Sequence, residues 1–204
     1  MTHSSEPQLL IENAIEEAIA LHQRLLSDFV PRVRELADLV LRTFENGGRL
    51  FFMGNGGSAA EAQHIATEFI VRFKHERRAL PVLALTADTS VLTAIGNDLD
   101  FDQIFARQVE ALVAPGDMVV ALSTSGVSPN VLEAVRMARK IGATTVGFTG
   151  NRKGPLADLV DVPVEVPSGD TQRIQEVHLL LWHIVCELVD VEIANQAGIK
   201  KNER

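Results

Sequence analysis

Apolar side chains recur at helical spacing over residues 8 to 27 (Leu9, Leu10, Ile15, Ile19, Leu21, Leu25, Leu26) and again over 31 to 46 after Pro31. The pattern predicts two amphipathic helices before any strand. From residue 49 the chain alternates. The apolar runs at 49 to 53, 81 to 85, 118 to 122, 144 to 148 and 160 to 166 are strand-length. Helical patterns cover 58 to 75, 90 to 95, 102 to 113 and 129 to 141, with a long helix over 171 to 196. Strands separated by helix-length segments predict an α/β fold with a parallel sheet flanked by helices. No linker of Pro/Gly/Ser-rich or charge-dense composition divides the 204 residues. We therefore expect one domain: a helical extension at about 7–47, a sheet core at about 48–168 and a C-terminal helix at about 170–197.

Parallel sheets of this kind take ligands beyond the carboxyl ends of their strands, and two of the turns there are chemically unusual. Leu122-Ser123-Thr124-Ser125-Gly126-Val127-Ser128-Pro129-Asn130 offers four hydroxyls, a glycine that lets the backbone curl inward, and a Ser-Pro pair that reads as N-cap and first helical residue. Free N–H groups and the positive end of a helix dipole would then face an anion. A phosphate seat and an ordinary helix cap both fit this segment. The other turn, Gly54-Asn55-Gly56-Gly57-Ser58-Ala59, has the form G-x-G-x-x-A, with Asp88 beyond the second strand. Dinucleotide binding is disfavoured. Two helices precede the first strand, Asp88 lies about ten residues past the usual offset of roughly 20, and the serine loop demands a second anion site. A Walker loop is excluded because G-x-x-x-x-G-K-[ST] does not occur.

Charge and cysteine content narrow the partners. Nineteen Lys and Arg against 27 Asp and Glu give a net charge of −8, which disfavours nucleic acid and anionic membranes. The first residues lack a signal-peptide pattern and no apolar run has spanning length, so a soluble cytoplasmic protein is expected. The single cysteine, Cys186, lies in an apolar run and reads as a buried hydrophobe. The tail Lys200 to Arg204 reads as a solvated end.

His64 and Glu68 stand four apart on one helix face, where a His/Glu pair can share a metal or simply face solvent. Gln175, Glu176, His178 and His183 interrupt an apolar stretch of the last helix and need partners there. Helical geometry alone does not choose between His178 and His183. Arg72 reads as a surface partner of Glu68, and Asn97 with Asp98 as helix-ending residues. The apolar character of the N-terminal helices exceeds what a solitary surface pair requires, which points to an oligomer.

Four motifs taken together, Gly54-Asn55-Gly56-Gly57-Ser58, Gly96-Asn97-Asp98, Ser123-Thr124-Ser125-Gly126 with Ser128, and Arg173 to His178, resemble the sugar isomerase (SIS) domain family over nearly the whole chain. More closely, they resemble its members that act on phosphorylated heptoses. The resemblance implies a flavodoxin-like five-stranded sheet, a homotetramer, and aldose–ketose conversion of sedoheptulose 7-phosphate into D-glycero-D-manno-heptose 7-phosphate for bacterial surface glycans. It also implies one Zn2+ per subunit, held by His64, Glu68, Gln175 and His183. Glu68 and His183 are then the acid/base pair. Ser123, Thr124, Ser125 and Ser128 are assigned to the phosphate, and Asn55, Gly56, Gly57, Glu68, Asn97, Asp98 and Gln175 to the sugar. Gln172, Val127 and Ala59 depart from residues found in some relatives. A non-catalytic sister group, associated with the replication initiator, lacks the histidine that matches His183, so its presence here favours the enzyme over a sugar-phosphate sensor or scaffold.

Overall fold

The computed structural model describes residues 6–152, 154–196 and 198, so the tail from Lys200 to Arg204 lies outside the described residues. Two helices, α1 (Glu6–Asp28) and α2 (Val30–Glu45), come first, separated by Phe29, with Pro31 in the first turn of α2 where its missing N–H costs nothing. Then follow β1 (Leu50–Gly54), α3 (Gly57–Ile70), β2 (Val82–Ala84), α4 (Thr89–Asp98), a 3-10 turn at Phe101–Gln103, α5 (Ala106–Leu112), β3 (Met118–Leu122), α6 (Pro129–Ile141), β4 (Thr144–Thr149), α7 (Pro155–Leu159), β5 (Val162–Glu165) and α8 (Thr171–Gln196).

All five strands are parallel, in the order β2-β1-β3-β4-β5, which is the flavodoxin-like arrangement. Alternate side chains of each strand serve different layers. Leu50, Phe52, Met118, Val120, Leu122, Val146 and Phe148 pack under α1, α2, α3 and α8. Phe51, Met53, Val119 and Ala121 pack under α5 and α6 on the other face. With both faces covered, β1 and β3 are buried throughout, as their unbroken apolar runs require. Chain order reverses between β1 and β3, so a crevice opens beyond their carboxyl ends.

Three elements differ from the expected pattern. α3 stops at Ile70 rather than running to 75, because the chain beyond it folds back onto α8. The helical pattern over 102 to 113 resolves into the 3-10 turn and α5. The five-residue α7, opened by Pro155, was not anticipated. Asp88 accepts from Val91 N–H at 3.0 Å and caps α4, so it has a structural role where a ribose contact was considered. α1 buries only Leu21 and Leu25, leaving Leu9, Leu10, Ile11, Ile15, Ile19 and Leu26 exposed. Among the described residues no helix is long and apolar enough to cross a membrane.

Candidate active site

The two unusual turns meet at the switch point of the sheet. Asn55, at the end of β1, and Asn130, in the first turn of α6, exchange amide hydrogen bonds in both directions, each 2.9 Å long. Asn130 is buried, and its oxygen also accepts from Val131 N–H at 2.9 Å. The glycine turn and the serine loop are thereby tied together. Within the loop, Ser123 and Ser128 hydroxyls lie 3.1 Å apart, and the Ser125 hydroxyl accepts from Val127 N–H at 3.4 Å. Ser128 occupies the N-cap position of α6 but makes no side-chain cap. Its hydroxyl turns toward Ser123, which leaves the helix N-terminus open to an anion. Gly126 has φ +68°, and a Cβ there would fall 2.9 Å from Thr149 Oγ1, so both backbone and space demand glycine.

A second cluster forms where α3 and α8 run side by side. His64 Nε2 lies 2.9 Å from His183 Nε2 and 3.5 Å from Glu68 Oε1, and one donor atom from each of the three residues falls within 4.8 Å of the others. These donors suit a divalent metal. Two imidazole nitrogens on one tetrahedral ion stand about 3.3 Å apart given metal–nitrogen bonds of about 2.05 Å, so the separation seen needs only slight widening. Burial first, and then the neighbouring His64, hold His183 below the usual imidazole value, which keeps its lone pair free.

Gln175 stands eight residues before His183, about 12 Å away along the helix axis. Its amide lies over Gly57, where a Cβ would approach within 2.6 Å, and donates to Ser58 at 3.4 Å. Within one chain, three of the four anticipated ligands therefore converge, and Gln175 sits at the opposite end of the contact between α3 and α8. A cavity of about 580 Å³ lined by Gly57, Glu61, His64 and Gln175 joins the two ends. Asn97 and Asp98 occupy the exposed end of α4, bonded to each other at 2.7 Å and facing solvent. His178 lies wholly in the core beside Phe148, and burial lowers it to about 4.

Glu61 was missed by the sequence reading. It is 7% exposed, neither carboxylate oxygen has a partner, and burial raises its carboxyl to about 8. Its register was the available signal: Glu61 stands four and eight residues before Ile65 and Phe69, on the covered face of α3.

Residues 15–150 match the family described as SIS domain. The chain belongs to the SIS domain family. Within that family it stands with the phosphoheptose isomerases. It is 53% identical over 176 residues to the phosphoheptose isomerase of Roseiflexus sp. (strain RS-1), covering 86% of this chain and 89% of that protein. Among solved structures, it resembles a phosphoheptose isomerase from Francisella tularensis with a TM-score of 0.88 at 34% identity, covering 92% of this chain and all of that one. The phosphoheptose isomerase from Neisseria gonorrhoeae gives a TM-score of 0.84 at 40% identity, covering 90% and 98%. The SIS fold of these structures is the five-stranded parallel sheet described above.

Proposed function

We propose that the chain interconverts sedoheptulose 7-phosphate and D-glycero-D-manno-heptose 7-phosphate in the synthesis of heptose for bacterial surface glycans, lipopolysaccharide among them. The observation that carries this is the convergence of His64, Glu68 and His183 in a chain about half identical to phosphoheptose isomerases.

The hydroxyls of Ser123, Thr124, Ser125 and Ser128, with the open end of α6, bind the phosphate. Asn55, Gly56, Gly57, Asn97, Asp98 and Gln175 contact the sugar. His64, Glu68 and His183 would hold one Zn2+ per subunit, and Gln175, about 12 Å along α8 from His183, can complete the set only from a neighbouring copy of the chain. When bound, the ion supplies Lewis-acid polarisation of the reacting carbonyl. Glu68, partly exposed at the cluster, moves the proton between C1 and C2 as general base. His183, kept unprotonated near neutrality by burial, takes and returns protons at the substrate oxygens. The phosphate seat anchors the far end of the substrate, so binding energy there orients the reacting carbons.

The exposed apolar side of α1 continues into a groove of about 1110 Å³ with α2 and α8, lined by Ile15, Ile19, Leu26, Val30 and Ile184. That area suits burial against further copies, and a cytoplasmic homotetramer of single SIS domains is the assembly we assign. The deciding experiment follows purified, zinc-supplemented protein with sedoheptulose 7-phosphate by NMR for the aldoheptose anomeric proton. Product supports the isomerase. Its absence, with metal and assembly both verified, points instead to a sugar-phosphate sensor or a scaffold.

A further inference from the structure

We infer that Phe73, Arg77 and Asp190 form a brace that fixes the imidazole of His183 and the turn of α3 carrying Glu68, and thus serve as positioning residues for the metal-ligating cluster. The inference rests on the metal reading given above.

Asp190 lies seven residues after His183 on α8, two turns further along nearly the same face. It is wholly buried and forms an ion pair with Arg77, equally buried, at 2.6 Å. Its other oxygen accepts from the backbone N–H groups of Phe73, Lys74 and His75 at 2.9, 2.8 and 3.1 Å. One carboxylate thus gathers the whole turn that follows α3. Arg77 reaches back from that turn and donates to the carbonyls of Glu68 at 2.7 Å and Phe69 at 2.8 Å. These belong to the last turn of α3, whose carbonyls have no partners within the helix. The backbone that carries Glu68 is therefore held from behind by a guanidinium that is itself anchored to α8.

Phe73 closes the arrangement. Pinned by its N–H to Asp190, it lays its ring on the imidazole of His183, with centroids 5.2 Å apart and planes 20° from parallel. His64 meets the same imidazole edge-on, with centroids 5.1 Å apart. The His183 ring is held between them. A buried ion pair costs more to desolvate than an apolar contact of the same size, so simple closure of a turn does not call for one. What the pair adds here is a fixed relation between two helices, each contributing donors to one cluster. Outer-shell groups of this kind typically set metal affinity by about 10- to 100-fold.

The test uses the full chain with Phe73→Leu, which removes the ring and keeps apolar bulk, and Phe73→Tyr, which restores it. Both are partly exposed substitutions expected to fold, as thermal unfolding would verify. Co2+ titration followed by visible absorption should show at least about 10-fold weaker binding in the Leu variant and near wild-type binding in the Tyr variant. Asp190→Asn should weaken binding in the same sense; if that variant does not fold, the Phe73 pair decides. Unchanged Co2+ affinity in the Leu variant would overturn the brace, as would an equal loss in the Leu and Tyr variants. Should wild-type protein bind no Co2+, the metal reading fails. The brace is then judged by NMR relaxation of the His183 ring in metal-free protein. Greater ring mobility in Leu, restored in Tyr, supports it; unchanged mobility overturns it.

Discussion

Glu61 gives the sharpest test of the cavity between α3 and α8. Its carboxyl is nearly inaccessible, has no hydrogen-bond partner, and is raised by burial from an ordinary 4.5 to about 8. Glu61→Gln keeps the size and removes the ionisation. In the unfolded chain the carboxyl loses its proton near its ordinary value, whereas the folded protein retains it until about pH 8. Across that window the native state binds more protons, so stability falls as pH rises. Each full unit of the window is worth about 1.4 kcal/mol, and with partial ionisation at its two ends the change between pH 5 and 8 is roughly 3.5 kcal/mol. The assay is urea unfolding of metal-free wild type and variant at several pH values across that window. Protein concentration is held fixed, because assembly shifts apparent stability by mass action. The stability difference should move by roughly 3.5 kcal/mol in favour of the variant as pH rises. Parallel profiles would mean that the carboxyl ionises normally, and the reasoning from burial would be wrong.

Glu68→Gln and His183→Ala should each lower turnover by at least about 10²-fold, the low end for a positioned acid or base; near-normal rates in either would sink the proton-transfer assignment. Ser123→Ala and Ser125→Ala should weaken binding of phosphorylated sugars in calorimetry, and unchanged affinity in both would contradict the phosphate seat. Gly126→Ala places a side chain at φ +68°, at a cost of about 1–2 kcal/mol. At about 2–4 °C per kcal/mol for a chain of this size, calorimetric melting should fall by roughly 2–8 °C. Light scattering should report a tetramer, and Ile19→Asp on the exposed face of α1 should reduce the mass; a monomeric wild type would refute the assembly.

The sheet was legible because its strands are short apolar runs with no competing period, and the helix over 129 to 141 because Ser128-Pro129 marks its start. Long-range contacts hid the rest. The end of α3 was overrun because the turn after it is held by Asp190, 115 residues from His75 and invisible to a local pattern. Ser128 read as a cap because sequence gives its position and not its rotamer; the hydroxyl of Ser123 competes for it. His178 and His183 stand five apart on a helix whose apolar residues leave no clear polar stripe. Only the packing of Phe148 against one and His64 against the other separates them. Glu61 carried no local sign of its unpartnered state, because α8 contributes much of the cavity wall.

The cluster joins His64 to His183, 119 residues apart. Every strand of the sheet is synthesised before α8 begins, so a growing chain carries both switch-point turns in its sequence while still lacking one of its three clustered donors. The match to the SIS domain likewise ends at residue 150, ahead of α8. The matched part thus contains four of the five strands and both switch-point turns, and the final helix adds a histidine that this part does not supply. A premature stop anywhere between β5 and His183 therefore removes one of the three clustered donors while leaving all five strands encoded.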